Sequence, residues 1–412
     1  MGENKSGGTS GRLVLDCGHA VLPDGVEEDA SLVVEDGRVV KIEAGRAHTR
    51  AERRVDLAGL TVYPGFIDIH IHGALGVDVT EAGAEDLRRV ARFLASRGVT
   101  AWLPTLVPAP DEAYARAAQA VSQLMREQDE TAREPAARAL GLHYEGPFVS
   151  ERQCGALRTQ FFRTYTGPTD LDALAAVRHP HAVHMTTLAP EIEGGAELVR
   201  ELVARGWVAS IGHTRAEVPD LERARAAGAR HMTHFMNAMR PLHHRDPGPV
   251  GWGLLADDVT CDVIADGVHS DPLVLDLVVR CKTPHRVALI SDAVAPAGLG
   301  DGEYRVWGET ITVEAGRTRN ERGSIAGSVI TMHDAARLLA TRGLPPHEVA
   351  RMASHVPARV LGIEKDYGTI EEGKRADLFA LDDAGRVRFT LVGGRVAYRS
   401  DEPERPGGAQ GR

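Results

Sequence analysis

The chain has 412 residues, of which 43% are hydrophobic, and a formal net charge of -10 at pH 7. This length allows a large buried core, arranged either as about two or three domains or as a single barrel. No basic block interrupts the mixed charges, which argues against nucleic acid as a partner and favours a small molecule. The scattered cysteines lack C-x-x-C spacing, so they predict neither a disulfide framework nor a cysteine-based zinc site.

The two ends of the chain have the composition of unstructured segments. Residues 1–11 are polar and rich in glycine and serine, and residues 401–412 are rich in proline and glycine. We expect a disordered lead-in and a loose tail. No apolar run reaches membrane-spanning length, and the cysteine pattern fits a reducing compartment, so the expected location is the cytoplasm.

Short strands separated by turns are predicted near both ends of the ordered chain. Asp36-Gly37 lies between two β-type runs, which is a strong hairpin signal. Because residues 12–61 and 376–400 are both strand-rich, they are expected to combine into one small β-sandwich domain. This domain would flank a catalytic domain formed by residues 62–375.

Residues 62–375 alternate between short apolar runs and helical segments. One helix shows its period through Leu87, Val90 and Leu94, with Gly98 as the expected C-cap. Eight runs have the length of buried strands: 62–73, 99–106, 139–144, 182–188, 207–211, 229–233, 260–265 and 286–290. Alternating β and α elements with eight parallel strands predict an α/β fold, a (β/α)8 TIM-like barrel.

Histidines and carboxylates follow these predicted strands, at the barrel face that carries the chemistry in such folds. His70 and His72 are two residues apart in a strand and therefore share a face. An isolated pair of this kind is more often part of a hydrogen-bonded core. Here the other strand ends carry Glu145, His213, His234, His269 and Asp292. Together they predict a divalent metal site, zinc or a similar ion, with Asp292 as the acid–base group.

Six motifs appear in order along the chain: PGFIDIHIHG (64–73), HYEGPF (143–148), GHT (212–214), THFMNAM (233–239), ADGVH (265–269) and SDA (291–293). This set resembles the amidohydrolase superfamily, and more narrowly its N-acetylglucosamine-6-phosphate deacetylase family. The resemblance runs from about residue 12 to residue 398. It implies metal-dependent hydrolysis of the N-acetyl group of N-acetylglucosamine 6-phosphate, giving glucosamine 6-phosphate and acetate.

The resemblance also implies a ligand set. Many members of the superfamily bridge two metals with a carboxylated lysine, but no lysine of this chain ends a predicted barrel strand. Glu145 would take that place and bind the principal ion, most simply Zn²⁺, together with His213 and His234. Some members of the deacetylase family keep the first-strand histidines and hold a second ion. His70 and His72 would bind that ion here.

Further residues receive substrate-binding roles from the resemblance. His269 would polarise the acetamide carbonyl. Asn237 and Ala238 would present backbone amides to the phosphate, and Arg245 would pair with it across the boundary of a homodimer. The sugar pocket would be lined by Ile325, Ala326 and Gly327. Taken alone, the loop that carries Arg245 has the composition of a solvated polar loop. Its position directly after the His234 motif is what favours a role in phosphate binding.

One segment departs from the family. Where the family has a glycine, a small residue and a sugar-binding histidine, this chain has Gly155, Ala156 and Leu157. Leucine cannot form the hydrogen bond, although Arg158 or Gln160 are candidates to replace it. Ala156 and Leu157 thus remain candidate substrate contacts, and a different N-acyl amino-sugar phosphate, or a related amide of specialised metabolism, remains an alternative substrate.

Two other classes of function compete with a deacetylase. A deaminase on the same scaffold would use similar groups but release ammonia. A non-catalytic binding barrel would be expected to have lost a ligand or the acid, and this sequence has lost neither.

Overall fold

The structure, a computed structural model, describes residues 11–130 and 132–400. The predicted lead-in and tail therefore lie outside the described residues, except for Gly11. The described chain forms a parallel barrel surrounded by helices, a mixed sheet built from both chain ends and a small antiparallel sheet. None of its helices is both long and apolar enough to cross a membrane.

The N-terminal region contributes four strands: β1 (Leu13–Leu22), β2 (Gly25–Glu35), β3 (Arg38–Ala44) and β4 (Arg53–Pro64). The predicted hairpin joins β2 to β3, and Asp36 and Gly37 have φ angles of 47° and 76°. These positive angles are those of the tight hairpin turn that Asp-Gly favours. β1 runs antiparallel to β2 and parallel to β4.

The central region contributes eleven strands, two of which form a separate short ladder: β5 (Phe66–Ile71), β6 (Gly73–Ala74), β7 (Val77–Asp78), β8 (Val99–Leu106), β9 (Arg138–Ala139), β10 (Gly141–Glu145), β11 (Val183–Leu188), β12 (Val208–Ile211), β13 (His231–Met232), β14 (Thr260–Ile264) and β15 (Val287–Ile290). The strands β5, β8 and β10 to β15 are parallel neighbours in that order, and β9 adds to β8. Each lies on one of the eight predicted runs. The predicted barrel is therefore confirmed.

The described helices are α1 (Ala84–Ala95), α2 (Asp111–Asp129), α3 (Gly195–Ala204), α4 (Val218–Ala227), α5 (Gly248–Leu255), α6 (Pro272–Lys282), α7 (Met332–Thr341), α8 (Pro346–Ala350) and α9 (Val356–Val360). Short 3-10 turns span Glu151–Gln153, Thr159–Phe161 and Pro168–Ala173, and a π-helical turn, Arg351–His355, joins α8 to α9. Helix α1 buries Leu87, Val90 and Leu94 as predicted. Its C-cap is Ser96, so the predicted cap at Gly98 is wrong; Gly98, with a φ of 79°, instead forms the turn into β8.

The barrel closes between β5 and β15 through Asp68 and Ser291. The Asp68 carboxylate accepts hydrogen bonds from the Ser291 hydroxyl (2.5 Å) and backbone N–H (3.3 Å). Next to this pair, the N–H of Asp292 donates to the carbonyl of His70 over 2.9 Å. Burial raises the pKa of the Asp68 carboxyl to about 7, against the opposing effect of the Ser291 hydrogen bonds. This seam fixes the two strands that carry His70 and Asp292.

A three-stranded sheet follows the barrel: β16 (Gly302–Val306), β17 (Glu309–Glu314) and β18 (Arg317–Asn320). The last strands, β19 (Leu378–Leu381), β20 (Val387–Val392) and β21 (Arg395–Arg399), return to the N-terminal strands. The resulting seven-stranded sheet has the order β21-β20-β19-β4-β1-β2-β3. The prediction that the two chain ends form one β domain is thus confirmed, and its strands belong to a single hydrogen-bonded sheet.

Candidate metal centre and active site

Glu145, His213 and His234 meet at the carboxyl ends of β10, β12 and β13. Glu145 Oε1 lies 2.8 Å from His213 Nε2 and 3.0 Å from His234 Nε2, and the two Nε2 atoms are 3.1 Å apart. All three residues are at most 4% exposed. Two imidazole nitrogens and a carboxylate oxygen that converge in a buried position are a donor set for a divalent cation, with a coordination position left for substrate or water.

A second group shares the Glu145 carboxylate. The Nε2 atoms of His70 and His72 are 3.2 Å apart, and Glu145 Oε2 lies 3.3 Å from His72 Nε2. In each group the donor atoms lie within 4.8 Å of one another. The backbone carbonyl of Thr105, 3.1 Å from His72 Nδ1, orients this imidazole so that Nε2 faces Glu145. Glu145 is therefore shared by the two groups: Oε2 faces His72, while Oε1 faces His213 and His234 and lies 3.7 Å from His70 Nε2. A shared carboxylate of this kind fits two ions.

The electrostatics of the cluster favour a cation. Burial alone would raise the pKa of the Glu145 carboxyl, but hydrogen bonds from His213 and His234 outweigh it and hold that pKa well below its usual range. Burial alone would lower the pKa of His234, yet the hydrogen bond to Glu145 raises it to about 9. The centre thus keeps an anionic carboxylate that draws positive charge toward it.

Three of the residues at the strand ends have a left-handed backbone. The φ angles are 46° at His213, 31° at His234 and 49° at Asp292. Residues with a Cβ rarely adopt this conformation, which costs about 1–3 kcal/mol each and persists only where the surroundings enforce it. The enforcing contacts come from neighbouring elements that the sequence does not single out.

Asp262, in β14, enforces the backbone of His234. Its fully buried carboxylate accepts a short hydrogen bond from the His234 N–H and lies 2.9 Å from His231 Nε2. His231 Nδ1 is in turn 2.7 Å from Thr260 Oγ1. Asp262 was not among the predicted site residues. The available signal was an acid inside an otherwise apolar strand, since buried carboxylates need a specific partner.

Replacing Asp262 with alanine is expected to destabilise the protein by about 3 kcal/mol, because two buried donors would lose their acceptor. Metal affinity should fall by about tenfold or more, since His234 would lose its backbone constraint. Urea denaturation and metal titration measure the two effects. Asp262→Asn, which keeps an oxygen for the His234 N–H, serves as the matched control and should be milder. A wild-type metal affinity in Asp262→Ala would rule out this role.

Asp292 lies at the edge of the second group. Its Oδ1 is 3.2 Å from His72 Nε2 and 3.5 Å from His70 Nε2. Its carbonyl accepts a 2.7 Å hydrogen bond from the N–H of Ser328. Gly327 allows this approach: its φ is 61°, and a Cβ there would lie 2.8 Å from the Asp292 carbonyl oxygen. The carboxylate is therefore held within reach of a group bound between the two sets of ligands.

The other residues predicted to bind substrate differ in which of their hydrogen-bonding groups are already satisfied within the protein. His269 is oriented by Asp266, whose Oδ2 lies 2.7 Å from His269 Nδ1. The Asn237 N–H already donates to the His234 carbonyl, but its side-chain Nδ2 is buried with no hydrogen-bond partner among the described residues. The available donor of Asn237 is therefore its side chain and not its backbone. Ala238 adopts a φ of 50° and accepts a hydrogen bond from the N–H of Thr214.

Arg245 is not part of the cluster within one chain. It lies in the exposed loop 241–247, and its side chain forms no hydrogen bond or ion pair with the ligand residues among those described. Only its N–H has a contact there, 3.3 Å from His243 Nδ1. Within the described chain, Arg245 is therefore separate from the metal ligands.

The segment that departs from the family lies directly over the site. The carbonyl of Gln153 is 2.8 Å from His213 Nδ1 and orients that ligand. Leu157 is buried in an apolar cluster with Val294 and Trp307. Of the proposed replacements for the missing histidine, Gln160 is exposed, whereas Arg158 stacks on Phe161 at 4.7 Å and its buried Nε has no hydrogen-bond partner among the described residues. The wall that Leu157 forms is thus apolar.

Residues 325–327 lie on the same side of the site. Ile325 is exposed, whereas Ala326 is buried in the apolar cluster that contains Leu157. Ala156 is joined to this region through its carbonyl, which accepts a 2.8 Å hydrogen bond from Arg322. The structure therefore brings Ala156, Leu157 and Ala326 together, as a sugar pocket would require.

An eight-stranded parallel barrel whose strand ends converge on histidine and carboxylate donors defines a metal-binding barrel with its site at the face used for catalysis. The family model described as the amidohydrolase family matches residues 61–397. The chain is 34% identical over 385 residues to the N-acetylgalactosamine-6-phosphate deacetylase of Escherichia coli O157:H7, covering 93% of this chain and 99% of the relative. It is 36% identical over 365 residues to the human N-acetylglucosamine-6-phosphate deacetylase, covering 85% and 87%.

Solved structures show the same relationship. The N-acetyl-D-glucosamine-6-phosphate deacetylase of Mycobacterium smegmatis, solved as an aspartate-to-alanine variant in complex with N-acetyl-D-glucosamine-6-phosphate, aligns with a TM-score of 0.83 and 32% identity, over 94% of this chain and 99% of that chain. The Thermotoga maritima N-acetylglucosamine-6-phosphate deacetylase aligns with a TM-score of 0.84 and 32% identity, over 94% and 100%.

The chain therefore belongs to the amidohydrolase family, whose members are metal-dependent, and it is a hydrolase that acts on an amide bond. The relatives described above, each at least 32% identical to the chain, are deacetylases of amino-sugar phosphates. These comparisons support the prediction of a deacetylase. They do not favour a deaminase or a non-catalytic binding barrel.

Proposed function

We propose that the protein is a zinc-dependent deacetylase that converts N-acetylglucosamine 6-phosphate and water to glucosamine 6-phosphate and acetate. The observation that carries the proposal is the convergence of Glu145, His213 and His234 on one buried position, with Asp292 beside the adjoining histidine pair. Nitrogen and carboxylate donors favour zinc over a hard cation. The relatives supply the substrate class, since the M. smegmatis structure holds N-acetyl-D-glucosamine-6-phosphate.

The proposed chemistry divides between the ion and the side chains. A divalent ion at Glu145, His213 and His234, with a second at His70 and His72, would supply Lewis acidity toward the carbonyl and lower the pKa of a water. Asp292 takes the proton from the attacking water as the new C–O bond forms. The same carboxyl then gives that proton to the sugar nitrogen as the C–N bond breaks. The second proton of the water stays on the new carboxylic acid, which becomes acetate by losing it to the amine or to solvent.

His269 acts on the acetamide oxygen in this proposal. Asp266 holds its Nδ1 at 2.7 Å, which leaves Nε2 as the atom that faces a ligand. A hydrogen bond from Nε2 would stabilise the negative charge that develops on the carbonyl oxygen. The phosphate would receive the unpartnered Asn237 Nδ2, since a buried donor without a partner is usually completed by a ligand or a water.

We propose a homodimer in which Arg245 reaches the phosphate bound by the partner subunit. The loop 241–247 is exposed, and Leu242 within it is 52% exposed. Leu255 and Leu273, at the end of α5 and the start of α6, are 80% and 71% exposed. In this proposal these leucines are candidate contacts with the partner subunit, which would cover them. An arginine fork beside such a surface is well suited to a dianion.

Mixed dimers test this role of Arg245. Arg245→Ala alone is expected to raise KM for a phosphorylated substrate by about tenfold or more, because a charge-assisted contact is lost. Mixing it with inactive Asp292→Asn subunits should restore about one quarter of native activity, since about half of the dimers are hybrid and each has one complete site. Hybrids without restored activity would show that Arg245 does not act across the boundary.

The cytoplasm is the proposed location. All four cysteines are free, which is typical of proteins from reducing compartments. A phosphorylated sugar substrate is consistent with this location, because charged sugars do not cross membranes unaided.

Acetate release from a panel of N-acetylated sugars tests the proposed function. The panel contains N-acetylglucosamine 6-phosphate, N-acetylgalactosamine 6-phosphate, which the E. coli relative makes the second candidate, and both sugars without phosphate. We expect the highest kcat/KM for N-acetylglucosamine 6-phosphate and a loss of about a hundredfold without phosphate. Bound metal is measured in the same preparation. Ammonia as the product, or equal rates with and without phosphate, would contradict the proposal.

A further inference from the structure

Trp307 occupies a position in the β16–β17 turn that its residue type does not explain. Val306 pairs with Glu309, so Trp307 and Gly308 form a two-residue turn with φ angles of 54° and 79°. Positive φ at both central positions favours asparagine, aspartate or glycine. An aromatic residue is uncommon there. Backbone strain of this kind is found most often at functional sites, where the strained residue places its side chain in a required position.

The Trp307 side chain points from this turn to the metal cluster. Its ring lies 5.3 Å from the His72 ring, centroid to centroid, at an interplanar angle of 86°. It is 8% exposed and packs in one apolar cluster with Leu157 and Ala326. The indole therefore lies between the ligands at β5 and the segments proposed to contact the sugar.

The indole N–H of Trp307 is buried without a hydrogen-bond partner among the described residues. Two other tryptophans show how this chain otherwise satisfies such a donor: Trp102 Nε1 donates to the Ala137 carbonyl at 3.2 Å, and Trp252 Nε1 to Glu222 at 2.7 Å. A buried polar atom without a partner needs an explanation. Because Trp307 lies beside His72 and the proposed sugar pocket, a bound ligand is the explanation that fits.

We infer that Trp307 is a substrate-recognition residue whose indole N–H donates a hydrogen bond to a hydroxyl oxygen of the N-acyl amino sugar. This inference rests on the proposed function for its substrate class. In this proposal the β16–β17 turn supplies a donor beside Leu157, which cannot supply one itself. Recognition by a single buried donor selects against sugars that lack the matching hydroxyl.

Trp307→Phe tests the inference, because it keeps an aromatic ring near His72 while removing the N–H together with part of the indole ring. We expect KM to rise about tenfold and kcat to stay within about twofold. The 1-, 3- and 4-deoxy analogues of the preferred substrate identify the acceptor. One of them should lose about tenfold in kcat/KM with the native enzyme and lose nothing further with Trp307→Phe. Tyr304→Phe is the matched control and should match the native enzyme, since the Tyr304 hydroxyl already donates to the Gly300 carbonyl at 3.0 Å.

An unchanged KM in Trp307→Phe, or equal losses with every deoxy analogue in both enzymes, would overturn the inference. A second measurement does not depend on turnover or on the stability of that variant. In Asp292→Asn enzyme with ¹⁵N-labelled tryptophan, the Trp307 indole signal should shift and exchange more slowly with water when N-acetylglucosamine 6-phosphate is added. The Trp102 and Trp252 signals, already hydrogen-bonded, should not change. No response of the Trp307 signal at saturating ligand would overturn the inference, whereas failure of the acetate assay alone would overturn only the proposed function.

Discussion

Asp292→Asn is expected to lower kcat by about three orders of magnitude while the content of the principal metal stays at the native level. The amide has nearly the same shape as the carboxylate, but it cannot take a proton from water or return one to the leaving nitrogen. Asp292 lies 3.2 Å from His72 Nε2, outside the group formed by Glu145, His213 and His234. Steady-state kinetics and elemental analysis of the same preparation measure both quantities.

A matched control exists for this change. Asp271 caps α6 by accepting a 2.8 Å hydrogen bond from the Leu273 N–H. Asp271→Asn makes the same chemical change at a capping position and should leave kcat unaltered, because asparagine is also a good N-cap. Near-native activity in Asp292→Asn would refute its acid–base role. Loss of the principal metal together with activity would instead identify Asp292 as a ligand.

The second large effect is expected at Glu145, since this carboxylate serves both groups. Its Oε1 lies 2.8 Å from His213 Nε2, and its Oε2 lies 3.3 Å from His72 Nε2. Glu145→Ala should therefore weaken metal binding at both positions by more than about a hundredfold. Loss of a residue that only orients a metal ligand already lowers metal affinity by about 10 to 100-fold. Activity should be lost with the metal.

His70→Ala separates the two positions. It removes a donor from the second group only and should leave one tightly bound ion per chain. Metal content after dialysis, and the rise in melting temperature on adding zinc, follow binding independently of turnover. One ion retained at native affinity in Glu145→Ala would contradict the shared role of this carboxylate.

The barrel was predictable because of how its strands are buried. Strand β8 is buried at every position, and parallel strands covered on both faces appear in sequence as continuous apolar runs. The order of polar residues after these runs then indicates the site, since the carboxyl ends of parallel strands meet at one face. His213 and His234 were predicted in this way, and they lie 3.1 Å apart.

The residues that the sequence did not reveal depend on contacts between distant segments. Asp262 appears as a lone acid in an apolar strand, and its partners His231 and His234 come from the preceding strand and its loop. Trp307 has no motif, and its position beside His72 follows from a hairpin that the strand pattern did not predict. Residues such as these are set by packing and not by local periodicity, so only the three-dimensional structure identifies them.

The seam between the first and last barrel strands has a consequence for how the protein folds during synthesis. Glu145, His213 and His234 come from strands that are near neighbours in the barrel, so their ladder can form before the chain is complete. The Asp68–Ser291 pair, in contrast, joins residues 223 positions apart. Contacts over such separations form late, because the entropy of closing the loop must be overcome first. The ligands of the principal ion can therefore assemble early on the ribosome, whereas the carboxylate proposed to move the proton arrives only when the barrel closes.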